Sequence, residues 1–156
     1  MTPVHFVVDM APVAKGRARS RVVKAKGRTF VSHYTPPETR DWEATVARYA
    51  RAAMAGREPI AGPVELLTVF LLPVPASWPN WKRRLALEGL VVPTTKPDWD
   101  NLGKAVADAM NGIAWADDTQ VVDCFTRKRY AAMPCAVVYA KPLDLLPAQV
   151  SRRPTA

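Results

Sequence analysis

The chain has 156 residues, with 22 Lys plus Arg against 14 Asp plus Glu, which gives a formal net charge of +8. This length suits one domain with a sizeable core. The sequence contains no run of 18 apolar residues, and residues 1–10 lack the features of a signal peptide, so we expect a cytoplasmic protein outside the membrane. The positive charge favours a polyanionic partner, but it does not by itself show nucleic-acid binding, since many basic proteins simply have solvated basic surfaces.

The N-terminal part combines a short strand with a basic segment. Val4–Val8 is an apolar run suited to a buried strand. Residues 15–28 then hold seven basic residues and no acid, and three arginines alternate with small residues, which places them on one face of an extended segment. A turn at residues 26–27 would make a two-stranded basic ribbon, and a disordered charged loop is the alternative. The basic residues that open this segment are Lys15, Arg17, Arg19 and Arg21.

A helix is predicted after residues 35–38, Thr-Pro-Pro-Glu, which have the pattern of a capping box with prolines in the first helical turn. Trp42, Val46, Tyr49 and Ala53 share one face of this helix, and Gly56 is expected to end it. We interpret this aromatic stripe as core packing rather than as a surface for stacking bases.

The middle of the chain predicts a central strand and a short helix. Residues 64–72 form a continuous apolar run that ends at two prolines. Ser77 is then expected to cap a helix over residues 78–87, with Trp78, Trp81 and Leu85 facing inward. The outer face would carry basic residues, for which solvated charge over buried tryptophans is one explanation. The basic residues of this part are Lys82, Arg83 and Arg84 on the helix and Lys96 after it.

Residues 96–120 gather five of the 14 acids of this basic chain. Because Pro97 keeps the preceding residue extended, a helix can begin only near Asp100, which we interpret as its N-cap. Asp98 and Asp100 would then lie two apart in extended backbone, with both side chains at the positive end of the helix dipole. Lys104 and Asp108 follow at steps of four residues and share one polar helical face.

The chain after this helix is expected to return to the helix start. Asn111-Gly112 is typical of a helix end, and the following extended residues are long enough to bring Asp117 and Asp118 beside the helix N-terminus. Three or four carboxylates and one lysine would then converge. Such a group suits a hard divalent cation such as Mg²⁺. Each feature also has an ordinary explanation as a helix cap, a surface ion pair or a turn.

Residues 96–122, KPDWDNLGKAVADAMNGIAWADDTQVV, closely resemble the RusA family of Holliday junction resolvases. The family signature is D-x-D-N-L-x-K at a helix start, followed by D-D-x-Q-V. The resemblance implies that the metal-binding catalytic carboxylates are Asp98, Asp100 and Asp118, and that Lys104 is the catalytic lysine. Asp117 also matches, as a further candidate metal ligand. The segment PVAKGRAR and the S-W-x-x-x-K-R-R region are weaker matches to the same family. They imply that basic residues of both regions contact DNA and position its phosphates, namely Lys15, Arg17, Arg19, Arg21, Lys82, Arg83, Arg84 and Lys96.

The end of the chain predicts two strands and a tail. If residues 118–130 and 135–141 form a hairpin, Cys124 and Cys135 do not face each other, and we expect free, reduced thiols. Residues 1–146 would form one domain, and residues 147–156 a flexible tail. The predicted fold is an α+β, two-layer domain, a mixed β-sheet with its two main helices on one face.

The resemblance implies a Mg²⁺-dependent endodeoxyribonuclease, with Mn²⁺ as a substitute, that acts on four-way junction DNA. It further implies a homodimer with two active sites and nicks bearing 5′-phosphate and 3′-hydroxyl ends. Two other functions stay open: a metal-dependent nuclease with little junction selectivity, and a non-catalytic junction-binding protein. Intact Asp98, Asp100, Lys104 and Asp118 argue against the binding protein, because DNA binding alone gives no reason to place carboxylates near phosphates.

Overall fold

A computed structural model of the protein describes residues 2–16 and 19–143. The predicted tail and Arg17 lie outside these residues. The strands are β1 (Val4–Val8), β2 (Arg19–Ala25), β3 (Arg28–Tyr34), β4 (Val64–Pro73), β5 (Val121–Ala131) and β6 (Cys135–Pro142). The helices are α1 (Pro37–Met54), α2 (Asn80–Leu87) and α3 (Trp99–Met110), and a 3₁₀ helix spans Asp118–Gln120. No helix in these ranges is both long and apolar enough to cross a bilayer.

The main sheet has four strands in the order β1-β6-β4-β5. β4 pairs antiparallel with β6 and parallel with β5, so the sheet is mixed, as predicted. Alternate side chains of β4, from Val64 to Leu72, are buried on one face. The place of β4 between two partner strands explains why its sequence is a nearly continuous apolar run.

The predicted hairpin between β5 and β6 is wrong. These strands are consecutive in the chain, but β4 lies between them and pairs with both. Residues 132–134 carry the chain past the end of β4, where Pro73 pairs with Ala131 and Leu71 pairs with Cys135. The central place goes to the strand that gains most from burial on both edges. Cys124 and Cys135 are free, as predicted.

The helices α1 and α3 pack against each other and against one face of the sheet. Trp42, Val46, Leu102 and Val106 are fully buried in one core that also holds the inward side chains of β4. The predicted α+β fold with two helices on one face is therefore confirmed, and so is the role of the aromatic stripe in packing.

The start of α1 differs from the prediction, whereas its end agrees. Pro36 is the N-cap, and among the described residues no side chain caps this helix, so the predicted capping box is wrong. The chain leaves the helix through two residues in the left-handed conformation, Ala55 with φ 49° and Gly56 with φ 77°. Glycine adopts that conformation without the steric cost of a Cβ, which explains why it marks the helix end.

The start of α2 also differs. This helix begins at Asn80 after an extended Pro79, so Ser77 does not cap it and Trp78 is outside it. A residue that precedes proline is disfavoured in the helical region, which accounts for the shift. Trp81 was predicted to face inward, but 66% of its surface is exposed.

The strands β2 and β3 form a separate antiparallel sheet, as the predicted basic ribbon requires. Lys26 and Gly27 join them with φ values of 49° and 71°, the positive pair typical of a tight hairpin turn. Arg19 and Arg21 both belong to the backbone of β2, the first strand of this ribbon.

Candidate active site

The N-terminus of α3 carries the first two acids of the candidate site. Helix α3 begins at Trp99, and its N-cap is Asp98, with φ −72° and ψ 143°, instead of the predicted Asp100. Asp100 lies within the first helical turn. Asp98 keeps extended backbone angles and Asp100 is helical, so the predicted alignment of both side chains along one extended segment does not apply.

The end of α3 folds back as predicted. Gly112 adopts φ 69°, and its N–H donates to the carbonyl of Trp115 at 2.7 Å. The indole N–H of Trp115 donates to Asn111 Oδ1 at 2.9 Å, which closes a tight loop. This loop returns the chain along the helix and brings Asp118 Oδ2 to 4.0 Å from Lys104 Nζ.

Asp100, Lys104 and Asp118 line one open cavity of about 300 Å³. The Nζ atom of Lys104 lies 3.7 Å from Asp108 Oδ1, and the lysine side chain is 58% exposed. The opposite wall comes from β5 and includes Thr126. Gly103 permits this close approach of α3 to β5, because a Cβ atom there would lie 3.1 Å from Thr126 Oγ1. The cavity thus joins one carboxylate and one ammonium of α3 with a carboxylate of the 3₁₀ helix.

Asp98 lines a neighbouring cavity of about 610 Å³, together with Lys15 and Lys96. Asn101 lines both cavities. Within residues 2–16 and 19–143, no three carboxylate, imidazole or thiol groups lie close enough together to hold a metal ion. The expected convergence of three or four carboxylates is therefore not seen, since Asp100 and Asp118 line one cavity and Asp98 lines the neighbouring one.

Asp117 acts as a cap for the 3₁₀ helix. Its carboxylate accepts a hydrogen bond from the backbone N–H of Thr119 at 2.9 Å, and the side chain of Gln120 accepts from the N–H of Asp117 at 3.3 Å. Hydrogen bonds from Thr119 lower the pKa of Asp117. The D-D-x-Q motif therefore contains a capping box in which the first acid shapes the turn and the second lines the cavity.

Comparison with known proteins shows the family of this chain. The family model for "Endodeoxyribonuclease RusA" matches residues 9–139. The chain belongs to the RusA endodeoxyribonuclease family. It is also 36% identical over 136 residues to "Uncharacterized protein YqaN" of Bacillus subtilis (strain 168), an alignment that covers 86% of this chain and 92% of that protein. The RusA family is the family of Holliday junction resolvases, and its members act on junction DNA.

Lys15 has internal partners in this RusA-family chain. Its Nζ lies 2.5 Å from Glu43 Oε1 and 2.9 Å from Asp108 Oδ2. Burial alone would lower the pKa of Lys15, but hydrogen bonds to these two carboxylates and their charges outweigh burial and raise it. The backbone N–H of Lys15 donates to the carbonyl of Asn101 at 2.8 Å. Lys15 therefore connects the N-terminal segment to α1 and α3. The sequence predicted a contact with DNA for this residue and did not indicate this structural role.

The remaining predicted DNA contacts differ in their surroundings. Lys82 Nζ lies 3.8 Å from the ring centroid of Trp78, and Arg84 pairs with Glu88 at 3.2 Å. Arg83 and Lys96 are exposed. The side chains of Arg17, Arg19 and Arg21 lie outside the described part of the chain, so their contacts with DNA stay a prediction.

Sequence reasoning assigned no role to Lys128. Its Nζ donates to the backbone carbonyls of Thr95 at 3.0 Å and Pro97 at 2.8 Å. A signal was present in the sequence, since strand alternation places Lys128 on the opposite face from Arg127 and Arg129. The role of Asp108, between Lys15 and Lys104, depends on a contact with a residue 93 positions away and has no local signal.

Proposed function

We propose that this protein is a Mg²⁺-dependent, structure-selective endodeoxyribonuclease that resolves four-way DNA junctions by paired symmetric nicks. The observation that carries the proposal is the cavity shared by Asp100, Lys104 and Asp118 in a chain of the RusA family. Two carboxylates and a compact ammonium at one open surface suit phosphodiester hydrolysis, in which negative charge develops on a phosphoryl group.

The donor set fits a magnesium ion that shares its coordination with DNA. Mg²⁺ is commonly bound through one or two carboxylates while water and substrate phosphate fill its other positions. Asp100 and Asp118 provide such a pair in one cavity, and the family resemblance adds Asp98 from the same helix N-terminus. When bound, the metal would supply an activated water and neutralise charge at the leaving 3′ oxygen.

Lys104 would act on the phosphate through its charge. It lies one helical turn from both Asp100 and Asp108, and its ammonium stands between Asp108 and Asp118 at the cavity. More than half of the side chain is exposed, so it can meet a phosphate that enters from solvent. A lysine is a concentrated point charge, suited to the extra negative charge of the transition state.

The junction itself would be held by positive charge on both sides of the cavity. The sequence of β2 supplies arginines to the basic ribbon, Lys96 lines the cavity that also holds Asp98, and Arg83 is exposed. These charges would follow the phosphate backbones and fix the register of the DNA without reading its sequence. We further propose a homodimer acting in the cytoplasm, because two active sites related by two-fold symmetry match the two symmetric nicks of a junction.

The test compares carboxylate variants on a synthetic four-way junction. Asp100→Asn and Asp118→Asn should each lower single-turnover cleavage by at least about 100-fold while junction binding persists. The matched control is Asp123→Asn on β5. This substitution also removes one negative charge, but Asp123 does not line the cavity that holds Asp100 and Asp118. If the Asp100 and Asp118 variants cleave as fast as the control, the cavity is not the active site.

A further inference from the structure

The segment Thr95–Asp98 leads directly into α3 and holds two residues of the candidate site. Lys96 and Asp98 both line the larger cavity. The carbonyl of Asp98 accepts the first hydrogen bond of α3, from the N–H of Leu102 at 3.1 Å. The backbone path of this segment therefore determines the position of the Asp98 carboxylate relative to the rest of the site.

Lys128 holds this segment from the sheet. It pairs with Phe70 in the register of β5 with β4, and its side chain is half-buried, whereas Arg127 and Arg129 are exposed. Its ammonium donates to the carbonyls of Thr95 at 3.0 Å and Pro97 at 2.8 Å. Hydrogen bonds from a charged donor are stronger than those between neutral groups, so these two contacts are effective restraints.

The two carbonyls are placed so that one ammonium controls the backbone on both sides of Lys96. Each carbonyl belongs to a planar peptide unit that also contains the next amide nitrogen. Fixing the carbonyl of Thr95 therefore orients the amide of Lys96, and fixing the carbonyl of Pro97 orients the amide of Asp98. Asp98 is thus restrained by Lys128 on one side and by the first hydrogen bond of α3 on the other.

We propose that Lys128 is a positioning residue for the active site, which holds Thr95–Asp98 so that Lys96 and Asp98 face the bound DNA. It touches neither substrate nor reacting atoms and acts through the backbone. Its effect on cleavage rests on the proposed function, whereas its effect on the segment does not. Loss of such a supporting contact typically costs 10–100-fold in activity, because small displacements of a reacting group are expensive.

The test uses Lys128→Met with Arg127→Met as the matched control, since both remove one positive charge from adjacent positions of β5. Single-turnover cleavage of a four-way junction should fall about 10–100-fold in Lys128→Met relative to the control. Junction affinity without Mg²⁺, and its salt dependence, should be equal in the two variants. A shallower salt dependence in Lys128→Met would mean that Lys128 contacts a DNA phosphate, and would overturn the proposal.

A second measurement does not depend on activity. Hydrogen exchange of the peptide 94–102 should be faster in Lys128→Met than in Arg127→Met. Unchanged exchange, or faster exchange with cleavage equal to the control, would overturn the positioning role. If the parent protein itself does not cut junctions, the proposed function fails, while the exchange result still decides whether Lys128 holds the segment.

Lys128→Arg keeps the test decisive if the methionine variant folds poorly. The guanidinium has five donors and can reach two carbonyls, so slow exchange and cleavage should recover together. Recovery of one without the other would contradict the proposal, because the contact and the cleavage rate would then be independent.

Discussion

Replacement of Lys104 separates a catalytic charge from an ordinary surface ion pair. The ammonium lies 3.7 Å from Asp108 and 4.0 Å from Asp118, and the side chain is 58% exposed. Two unit charges 4 Å apart attract by about 1 kcal/mol in water, and exposed pairs contribute about 0.3–0.5 kcal/mol after the cost of ordering the side chains. Lys104→Ala should therefore change the free energy of unfolding by less than about 1 kcal/mol.

The expected effect on the reaction is much larger. If the ammonium acts on the phosphate chiefly in the transition state, its loss should lower single-turnover cleavage by roughly 100-fold or more, which corresponds to about 2.7 kcal/mol. Junction affinity should change far less, because the ground state gains little from this one charge. The gap between a small loss of stability and a large loss of rate is the distinguishing result.

The assay is single-turnover cleavage of a four-way junction at saturating Mg²⁺, with folding checked by circular dichroism. Lys141→Ala is a suitable control, because Lys141 is 40% exposed and pairs with Glu65 at 3.3 Å on the main sheet. Lys104→Arg should also lose substantial activity, since a planar fork replaces a compact ammonium. Near-parental rates for both Lys104 variants would leave the residue with a structural role and refute the reasoning.

Three further predictions concern the surroundings of the cavity. Asp98→Asn should retain junction binding, and bind more tightly without metal because repulsion of the phosphates falls, yet lose cleavage; a parental rate would remove Asp98 from the site. Replacing Arg17, Arg19 and Arg21 together with Ala should weaken binding of the junction. The slope of the log binding constant against the log salt concentration should become shallower by about 0.9 per lost phosphate contact, and an unchanged slope would mean that the ribbon is only a solvated surface. Lys15→Met should lower stability by about 1–2 kcal/mol at neutral pH. Because the folded-state pKa of Lys15 is raised above 10.5, this stabilisation is complete below pH 10.5 and lost as pH rises through the folded-state pKa, so equal losses at neutral and strongly alkaline pH would argue against the ion pairs.

The elements could be predicted from the sequence because their signals are local. The apolar run of β4, the turn at Lys26-Gly27 and the helix end at Gly112 each depend on a few neighbouring residues. The order of strands could not be predicted, since the position of β4 between β5 and β6 depends on burial of the whole sheet. The short connection between β5 and β6 favoured a hairpin of these two strands. The free energy gained by pairing β4 on both edges outweighed that preference.

The residues of the candidate site could be proposed from the sequence, whereas their relative positions could be predicted only in part. Lys104 and Asp118 were expected to meet, and they do, because the length of α3 and the return from Gly112 fix that meeting. The predicted N-cap of α3 was two residues too late, since Asp98 takes that place and not Asp100. Asp98 and Asp100 line different cavities, which the sequence did not indicate. The partners of Lys15 could not be found from the sequence, because ion pairs between distant residues leave no local pattern.

The most direct test of the central claim is product analysis on DNA of two shapes. A four-way junction and a linear duplex of the same sequence are incubated with the protein in Mg²⁺ or in chelator, and the ends are mapped on every strand. We predict paired nicks at symmetric positions of the junction with 5′-phosphate and 3′-hydroxyl ends, little cutting of the duplex, and none in chelator. Equal cutting of both DNAs would contradict junction selectivity, and undiminished cutting in chelator would contradict the role of the metal.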